Sequence, residues 1–216
     1  MRWSSNLAYA VGLITTDGNL SKDGRHIDLT SKDLEQIKTF LVAIKSEAKI
    51  SLKSSGYSQK KYYRTQFSDV KFYRFLLKIG LTPAKSKTLG EIKIPGRYFA
   101  DFLRGCLDGD GYTYSYFDPR WKSSFQLYTG FVSASKKHLK WLFSKIEELY
   151  GIKGTIRLHT RAFTLEFAKK NSLILLNKLY YKNDLLFLKR KHSKIMIALS
   201  IIQEQAGVLK LVNRLP

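Results

Sequence analysis

The sequence predicts an α+β fold in which two similar halves, each with the element order αββαββα, follow one another in a single chain. One observation is a nine-residue segment that occurs twice, as AVGLITTDG at residues 10–18 and as LRGCLDGDG at residues 103–111. The other is that each copy precedes segments whose apolar residues recur with the period of a strand or of an amphipathic helix. We expect the halves to span residues 1–95 and 96–216.

The first half begins with an apolar helix that contains the first copy of the segment. Strand-like alternation follows in HIDLT at residues 26–30 and in YYRTQF at residues 62–67. One face of the resulting sheet would be apolar, and the other would carry Arg, Lys, Gln, Tyr and His. The predicted elements are, in order, a helix over about residues 5–16, strands within 18–30, a helix over 32–46, strands over 49–54 and 61–68, and a helix over 69–79.

The second half repeats this order with longer loops. DLTSKDLEQIKTFL at residues 28–41 corresponds to FVSASKKHLKWLF at residues 131–143, and each combines a strand end, a serine suited to cap a helix and an amphipathic helix. The predicted elements are helices near residues 97–108, 135–150, 169–181 and 191–205, and strands near 112–117, 123–132, 153–158 and 161–167.

The two copies of the segment align residue by residue. Their last aspartates, Asp17 and Asp110, are separated by an offset of 93 residues, and the first glycines coincide at the same offset. Further along each half, Lys85 in TPAKSKTL corresponds to Lys191 in LKRKHSKI at an offset of 106 residues. An internal repeat of this kind predicts a pseudo-twofold structure within one chain, and hence a monomer that resembles a dimer.

The charge balance indicates a polyanionic partner. The chain has 38 Lys and Arg against 17 Asp and Glu, a formal net charge of +21, and 44% hydrophobic residues, which is enough for a substantial core. Basic and aromatic residues are interleaved, as in YSQKKYYRTQF at residues 57–67, which favours structured strands that present charge over a disordered basic tail. Nucleic acid is therefore the expected partner, and a solvated basic surface without a ligand is the alternative.

Other features limit the class of protein. A single cysteine, Cys106, excludes an internal disulfide, and the start of the chain lacks the pattern of a secretory signal. The longest apolar segments are too short to span a bilayer. We expect an intracellular protein, in a bacterial or archaeal cytoplasm or in an organelle, with no membrane span.

The repeated segment resembles a known family motif. Two copies of apolar-Gly-apolar-apolar-x-x-Asp-Gly about 90 residues apart, each opening an αββαββα half, resemble the single-chain LAGLIDADG homing endonucleases. This resemblance covers nearly the whole chain. It implies a saddle-shaped platform of antiparallel sheet, with the helices on the opposite face and the two motif helices packed side by side at the pseudo-twofold axis.

The resemblance also implies a metal site. Gly12 and Gly105 would let the two motif helices approach closely, so that Asp17 and Asp110 meet at one point. Two adjacent carboxylates repel one another unless cations lie between them, and hard oxygen ligands favour Mg²⁺, with Mn²⁺ as a substitute. Backbone carbonyls of Thr16 and Gly109 are expected to complete the metal ligands contributed by the protein.

In this family each half also supplies a basic residue close to the scissile phosphate. Lys85 and Lys191 match that pattern, although Lys87 is an alternative in the first half, and Lys189 and Arg190 are alternatives in the second. Their expected role is to polarise solvent around the nucleophile or to offset charge in the transition state. The implied reaction is metal-dependent hydrolysis of DNA phosphodiesters, with double-strand breaks.

Plainer interpretations remain for these residues. The two aspartates could simply end helices before the tight turns at Gly18 and Gly111, and the two lysines could be surface residues at helix starts. A calcium loop at residues 108–119 is disfavoured, because Tyr112 and Pro119 stand where an EF-hand needs oxygen ligands. The earlier aspartate of the motif is present as Asp108 in the second copy but is Thr15 in the first.

The polar faces of the strands are expected to read a duplex about 20 base pairs long by analogy with the family. Because the halves differ, the preferred site would be imperfectly palindromic. The candidate DNA-binding residues are His26, Lys53, Tyr62, Arg64 and Gln66 in the first half, and Tyr114, Lys122, Gln126, Arg157, His159 and Arg161 in the second.

Two other functions are compatible with the same scaffold. One is an RNA maturase that assists splicing of an intron, for which intron RNA would be a second partner. The other is a DNA-binding regulator that does not cleave, although the presence of both motif aspartates argues against it. We favour an intron-encoded or free-standing endonuclease over one embedded in an intein, because 216 residues leave no room for splicing blocks.

Overall fold

The predicted α+β class and element order are confirmed. The computed structural model describes the backbone of residues 1–55 and 58–212, and the side chains of these ranges apart from residues 55, 58–60, 122 and 206–212. The described residues form seven α-helices and eight strands, in which the order αββαββα occurs twice and is followed by one further helix.

The first half contains one four-stranded antiparallel sheet in the spatial order β1-β2-β4-β3. Its boundaries agree closely with the predicted ones. The elements are α1 (Ser5–Thr16), β1 (Gly18–Leu20), β2 (His26–Ser31), α2 (Leu34–Ile44), β3 (Ile50–Ser55), β4 (Ser58–Ser68) and α3 (Val70–Ile79).

The second half repeats this topology as β5-β6-β8-β7. Two short 3₁₀ turns, Lys85–Lys87 and Gly96–Tyr98, connect the halves, and the predicted boundary between residues 95 and 96 lies before the second turn. The elements are α4 (Phe99–Asp108), β5 (Tyr112–Asp118), β6 (Trp121–Ser133), α5 (Lys136–Tyr150), β7 (Thr155–Leu158), β8 (Phe163–Phe167), α6 (Lys169–Leu179) and α7 (Lys189–Val212).

The helix starts follow local capping chemistry, with one departure from expectation. The Ser135 hydroxyl accepts the His138 N–H at 3.4 Å at the start of α5, as a serine cap should. At the start of α2, however, Asp33 occupies the cap position instead of a serine, so the expected serine cap is wrong there. The Asp33 carboxylate makes no capping bond and contacts the Arg190 side chain of α7 instead.

The core is centred on α1 and α4, which we call the motif helices because each carries one copy of the repeated segment. Residues 7–15 of α1 are all buried, and almost all of α4 is buried as well. α1 is apolar on nearly every side, and a helix of this kind buries its apolar surface only in the middle of a fold. Both sheets turn their apolar faces toward this helix layer, as fully buried Leu29 and Leu127 illustrate.

Each half is also bound to the other by the segment that follows it. The Ser135 hydroxyl donates to the Leu89 carbonyl at 2.5 Å, which places the segment after the first half against α5 of the second. Reciprocally, the Lys189 N–H donates to Glu35 of α2 at 3.4 Å. The two halves are therefore held together by contacts in both directions.

No helix in the described part of the chain has the length and apolar character that a bilayer span requires.

The glycines of the motif helices generate a stability prediction. A Cβ at Gly12 would lie 2.2 Å from the Phe102 carbonyl oxygen, and one at Gly105 would lie 2.1 Å from that of Tyr9. Because both obstacles are backbone, Gly12→Ala must separate the helices, at a cost of about 1–3 kcal/mol or more. Chemical denaturation should show this loss. Gly96→Ala is the control, since its nearest neighbour is a Leu149 methyl at 3.7 Å, and an equal loss there would contradict the packing argument.

Candidate functional site

The two copies of the motif end at the same place. A Cβ built on Gly109 would lie 2.0 Å from the Thr16 hydroxyl and 2.8 Å from the Asp17 carboxylate. The Asp17 side chain therefore lies against the backbone that leads directly into Asp110. This follows from the close approach of the motif helices, which brings their C-terminal ends together.

Asp17 is held in a defined orientation. Its Oδ2 atom accepts a hydrogen bond from the Gln36 amide at 2.7 Å and one from the Thr16 hydroxyl at 3.5 Å. Desolvation and, to a smaller extent, the neighbouring Asp110 charge raise the pKa of Asp17, while Gln36 and Lys191 lower it, and together these effects place it at about 6. The protein therefore holds a carboxylate where its charge is unfavourable, as expected of a site that receives a cation.

Asp110 is the more exposed of the two aspartates. Desolvation raises the pKa of its carboxyl too, while the ammonium groups of Lys191 and Lys85 lower it. The site thus contains two carboxylates that each lose solvation on folding and two lysines that partly compensate.

Lys85 and Lys191 occupy equivalent positions at the ends of the motif helices. Lys85 donates to the Gly18 carbonyl, and Lys191 donates to the Gly111 carbonyl at 2.7 Å. Gly18 and Gly111 are separated by the same 93 residues as the motif aspartates. The structure therefore brings both predicted lysines to the site, in a nearly symmetric arrangement.

Burial acts on both lysines in the same direction. Desolvation lowers the pKa of both lysines and the nearby carboxylates raise it, and the result is a pKa of about 8 for Lys85 and about 8 for Lys191. Both lysines are therefore mostly charged at neutral pH, although their pKa values lie only slightly above it. The neighbouring candidates differ, since Arg190 contacts Asp33 and Lys87 is exposed.

The two halves differ beside the aspartates. Gln36 of α2 and His138 of α5 occupy the same helical position, three residues after the cap. Gln36 reaches the Asp17 carboxylate, whereas the His138 ring donates to the Gly90 carbonyl at 2.8 Å. Desolvation lowers the pKa of His138 to about 4, so the ring is neutral. A cavity of about 130 Å³ lies between His138, Lys85 and Asp110.

The donor set is compatible with Mg²⁺. Among the described residues, no group of three or more His, Cys, Asp and Glu side chains could hold a metal ion. Two carboxylates and backbone carbonyls remain, and Mg²⁺ is typically bound by one or two carboxylates together with water and substrate phosphates. The Gly109 carbonyl also accepts a hydrogen bond from Lys191 at 2.7 Å, so one of its lone pairs is already engaged.

The first sheet presents all five of its candidate DNA-binding residues on one face, which we call the outer face because the other face packs on the helices. Residues directly opposite one another on paired strands share a face, as do alternate residues along a strand. The pairs that establish this are His26 with Ser68, Asp28 with Gln66, Thr30 with Arg64, and Lys53 with Tyr62. On this face the Arg64 guanidinium is bound to Asp28 at 3.0 Å.

The outer face of the second sheet is rich in tyrosine. Four tyrosine rings stack in a cluster, with Tyr114 and Tyr128 5.0 Å apart between centroids. The Tyr112 hydroxyl donates to Glu166 at 2.8 Å, and Arg157 approaches the same carboxylate at 3.9 Å. The chemistry of this face therefore differs from that of the first sheet. The members of the tyrosine cluster are Tyr112, Tyr114, Tyr116 and Tyr128.

Not every candidate of the second half lies on a strand. Gln126 and Arg157 share the outer face with Tyr114. The predicted strand at 161–167 starts only at Phe163, and His159 and Arg161 lie in the exposed turn between β7 and β8, where the His159 N–H donates to the Ala162 carbonyl. Their placement on strands is therefore wrong. The side chain of Lys122 lies outside the described residues.

Sequence reasoning missed two parts of the site. Gln36 is nearly fully buried on the apolar side of α2, and a buried amide in such a position was the available signal. The second part is a set of buried polar contacts along α4. In it Asp108 accepts from the Tyr9 hydroxyl at 2.8 Å, and Arg104 binds Asp101 at 2.7 Å.

No protein-family model matches the sequence, and neither does any curated protein. Solved structures do match. The homing endonuclease I-WcaI bound to its DNA recognition sequence is 12% identical, with a TM-score of 0.64 over 90% of this chain and 87% of that one. I-DmoI in complex with DNA and Mn is 16% identical, with a TM-score of 0.55 over 83% of this chain and 98% of that one.

Full-length WhiA from Thermatoga maritima also matches, with 14% identity and a TM-score of 0.59 over 99% of this chain and 70% of that one. Identities this low concern the fold and leave the activity open. The expected resemblance is confirmed at that level, and this protein has the LAGLIDADG fold, with both motif-bearing halves in a single chain.

Proposed function

We propose that the protein is a site-specific DNA endonuclease of the homing type, which makes metal-dependent double-strand breaks in a long, imperfectly palindromic site. One observation carries the proposal. The last aspartates of both motif copies converge at one point, and each half adds a buried or half-buried lysine at the equivalent place. A purely structural helix end requires neither the unfavourable carboxylate pair nor the paired lysines.

Different residues of the site would have different roles in phosphodiester hydrolysis. Asp17 and Asp110 would hold Mg²⁺, or Mn²⁺ in its place, which when bound supplies an activated water and charge stabilisation at the phosphoryl group. Lys85 and Lys191 place ammonium groups beside the carboxylates, where they offset negative charge that develops on the phosphate oxygens. Gln36 fixes the orientation of the Asp17 carboxylate, as residues behind metal ligands commonly do.

The outer faces supply the DNA-binding surface. Basic and amide side chains on strands can contact phosphates and base edges in the major groove. The first face carries Arg64, Lys53 and Gln66, whereas the second carries stacked tyrosines around Glu166. Two faces of different chemistry favour two different half-sites, and hence a target that is only imperfectly palindromic.

A DNA-binding protein without nuclease activity is the second candidate. It is favoured by the likeness to WhiA, which shares the fold and is not named as an endonuclease. Intron RNA has no support among the similar structures, and we do not propose it as a partner.

Asparagine variants of the motif aspartates separate these functions. Asp17→Asn and Asp110→Asn should each reduce double-strand cleavage about 100-fold or more, because each removes a charge from a site that needs both halves. DNA binding without metal should hold steady or strengthen, since a negative charge that faces phosphate is lost. Cleavage is measured on a library of randomised duplexes with Mg²⁺, and repeated with chelator.

Asp184→Asn is the matched control, because that aspartate is exposed and pairs only with Lys182 among the described residues. It removes the same charge and should leave cleavage unchanged. Wild-type activity in either motif variant would contradict the metal site. Specific binding by the wild-type protein with no cleavage under any divalent metal would favour the non-cleaving candidate.

The raised pKa of Asp17 predicts a pH-dependent stability effect. A carboxyl whose pKa is higher in the folded state costs no stability while protonated in both states, and its full cost appears once pH exceeds the folded pKa of about 6. Asp17→Asn should therefore raise the melting temperature by a few degrees at pH 8. The gain should shrink as pH falls from 6 toward 4.

Thermal melts without metal, recorded across that pH range, measure this effect. Added Mg²⁺ should raise the melting temperature of the wild-type protein more than that of Asp17→Asn, because the variant has lost one of the two carboxylates. If the variant is no more stable than the wild type at pH 8, the claim that the folded protein raises the pKa of Asp17 is contradicted.

The basic outer face predicts a steep salt dependence of DNA affinity. The log–log slope is about −0.9 for each phosphate neutralised, and so roughly −5 or steeper for six contacts. Lys53→Met should make the slope shallower by about one, as measured by fluorescence anisotropy with a duplex probe. Lys145→Met on α5 is the control, since its ammonium pairs with Glu148 at 2.8 Å and it should leave the slope unchanged. If DNA affinity does not depend on salt, the basic outer face is excluded as the DNA-binding surface.

A further inference from the structure

We propose that Asp108 is a positioning residue that fixes where the Lys191 ammonium lies, and that the two halves of the site are unequal because the first half has no such residue. The inference rests on the proposed endonuclease function and adds that the two DNA strands are cut at different rates. One DNA strand would be cut through a firmly placed lysine, and the other through a more loosely placed one.

The first step is the contact between Asp108 and the start of α7. Asp108 is the last residue of α4 and is fully buried. Its Oδ2 atom accepts the Leu188 N–H at 2.8 Å and the Tyr9 hydroxyl at 2.8 Å. Leu188 directly precedes α7, and its carbonyl accepts the N–H groups of Lys191 and His192 at 3.0 Å each. The carboxylate therefore fixes the residue on which the first turn of α7 is built.

The second step is the short path from that turn to the site. Lys191 follows Leu188 by three residues, which is less than one turn of helix. Its ammonium donates to the carbonyls of Leu107, Gly109 and Gly111, each at 2.7 Å. Asp108 lies within this same stretch, between the first two of these carbonyls. The start of the path thus contacts the Asp108 side chain and its end contacts backbone carbonyls of the same motif, which leaves the ammonium little freedom to shift.

The third step is the cost of the arrangement. The Oδ1 atom of Asp108 is buried and has no hydrogen-bond partner among the described residues. A buried oxygen without a partner is destabilising, because its lost hydration is not replaced. An apolar residue would avoid this penalty but would leave the buried Leu188 N–H and Tyr9 hydroxyl without their acceptor, so the carboxylate is kept for the two contacts that it makes.

The first half lacks the equivalent contact. Thr15 stands in the corresponding place of the motif, and its hydroxyl donates to the Val11 carbonyl at 2.7 Å within its own helix. Lys85 begins a 3₁₀ turn of three residues, preceded by Ala84 with a φ of 54°, and no side chain caps that turn. The two lysines therefore donate to equivalent glycine carbonyls, but only the helix that carries Lys191 is held by a buried carboxylate.

The test uses Asp108→Thr, which gives the second half the residue of the first. The substrate is a supercoiled plasmid that carries a sequence recovered from the randomised library. A lysine misplaced by about 1 Å can cost up to about 100-fold, so the variant should slow cutting of one strand by roughly tenfold or more. A nicked circle should then accumulate. Lys191→Met should slow the same strand, and the double variant should be no slower than Lys191→Met alone.

Two controls separate positioning from loss of structure. A variant that merely folds less well slows both strands equally, so the ratio of the two strand rates is the measurement. Thr15→Val should leave that ratio unchanged, because the Thr15 hydroxyl bonds only within α1 among the described residues. Tyr9→Phe removes one of the two donors to Asp108 and should change the ratio in the same direction by a smaller factor, even if Asp108→Thr fails to fold.

A second readout needs no cleavage. Reductive methylation of the DNA-free protein, followed by peptide mass spectrometry, compares the labelling of Lys191 with that of Lys85. Tyr9→Phe and Asp108→Thr should raise labelling of Lys191 severalfold and leave Lys85 unchanged. If the wild-type protein cuts no DNA, the proposed function fails while this readout still tests the positioning. Equal slowing of both strands with unchanged labelling would overturn the inference.

Discussion

The close packing of α1 against α4 is the constraint on which the rest of the molecule depends. The absence of a side chain at Gly12 and Gly105 lets each helix backbone contact the other, since any Cβ there would lie about 2 Å from a carbonyl oxygen. This approach brings the C-terminal ends of both helices together. Asp17 and Asp110 consequently share one site, although 93 residues separate them in the chain.

The chemistry of the site follows from this geometry. Two carboxylates that lose solvation need cations nearby, and the protein supplies Lys85 and Lys191 from the segments that follow each half. Each lysine donates to a carbonyl of its own half, whereas the two aspartates come from different halves, so the site is complete only when both halves pack together. This arrangement thus couples assembly of the fold to assembly of the site.

The pseudo-twofold symmetry is incomplete at the candidate site and on the outer faces. Gln36 contacts Asp17, whereas the equivalent His138 turns away from Asp110 toward a backbone carbonyl. A buried carboxylate, Asp108, supports the second half where the first has Thr15. The outer faces differ as well, one basic and the other lined with stacked tyrosines. A duplicated fold with unequal halves is suited to an asymmetric DNA site.

The sequence by itself determined the repeat, the order of the elements and the paired aspartates and lysines, because hydrophobic period and motif spacing are local properties of the chain. It placed Gln66 and Arg64 on a polar strand face for the same reason. Only the tertiary structure decided that Gln36 meets Asp17, that Asp108 holds Leu188, and that His159 and Arg161 lie in a turn. Such contacts join residues up to 80 positions apart, and no periodicity in the sequence records which distant partner a buried polar group will find.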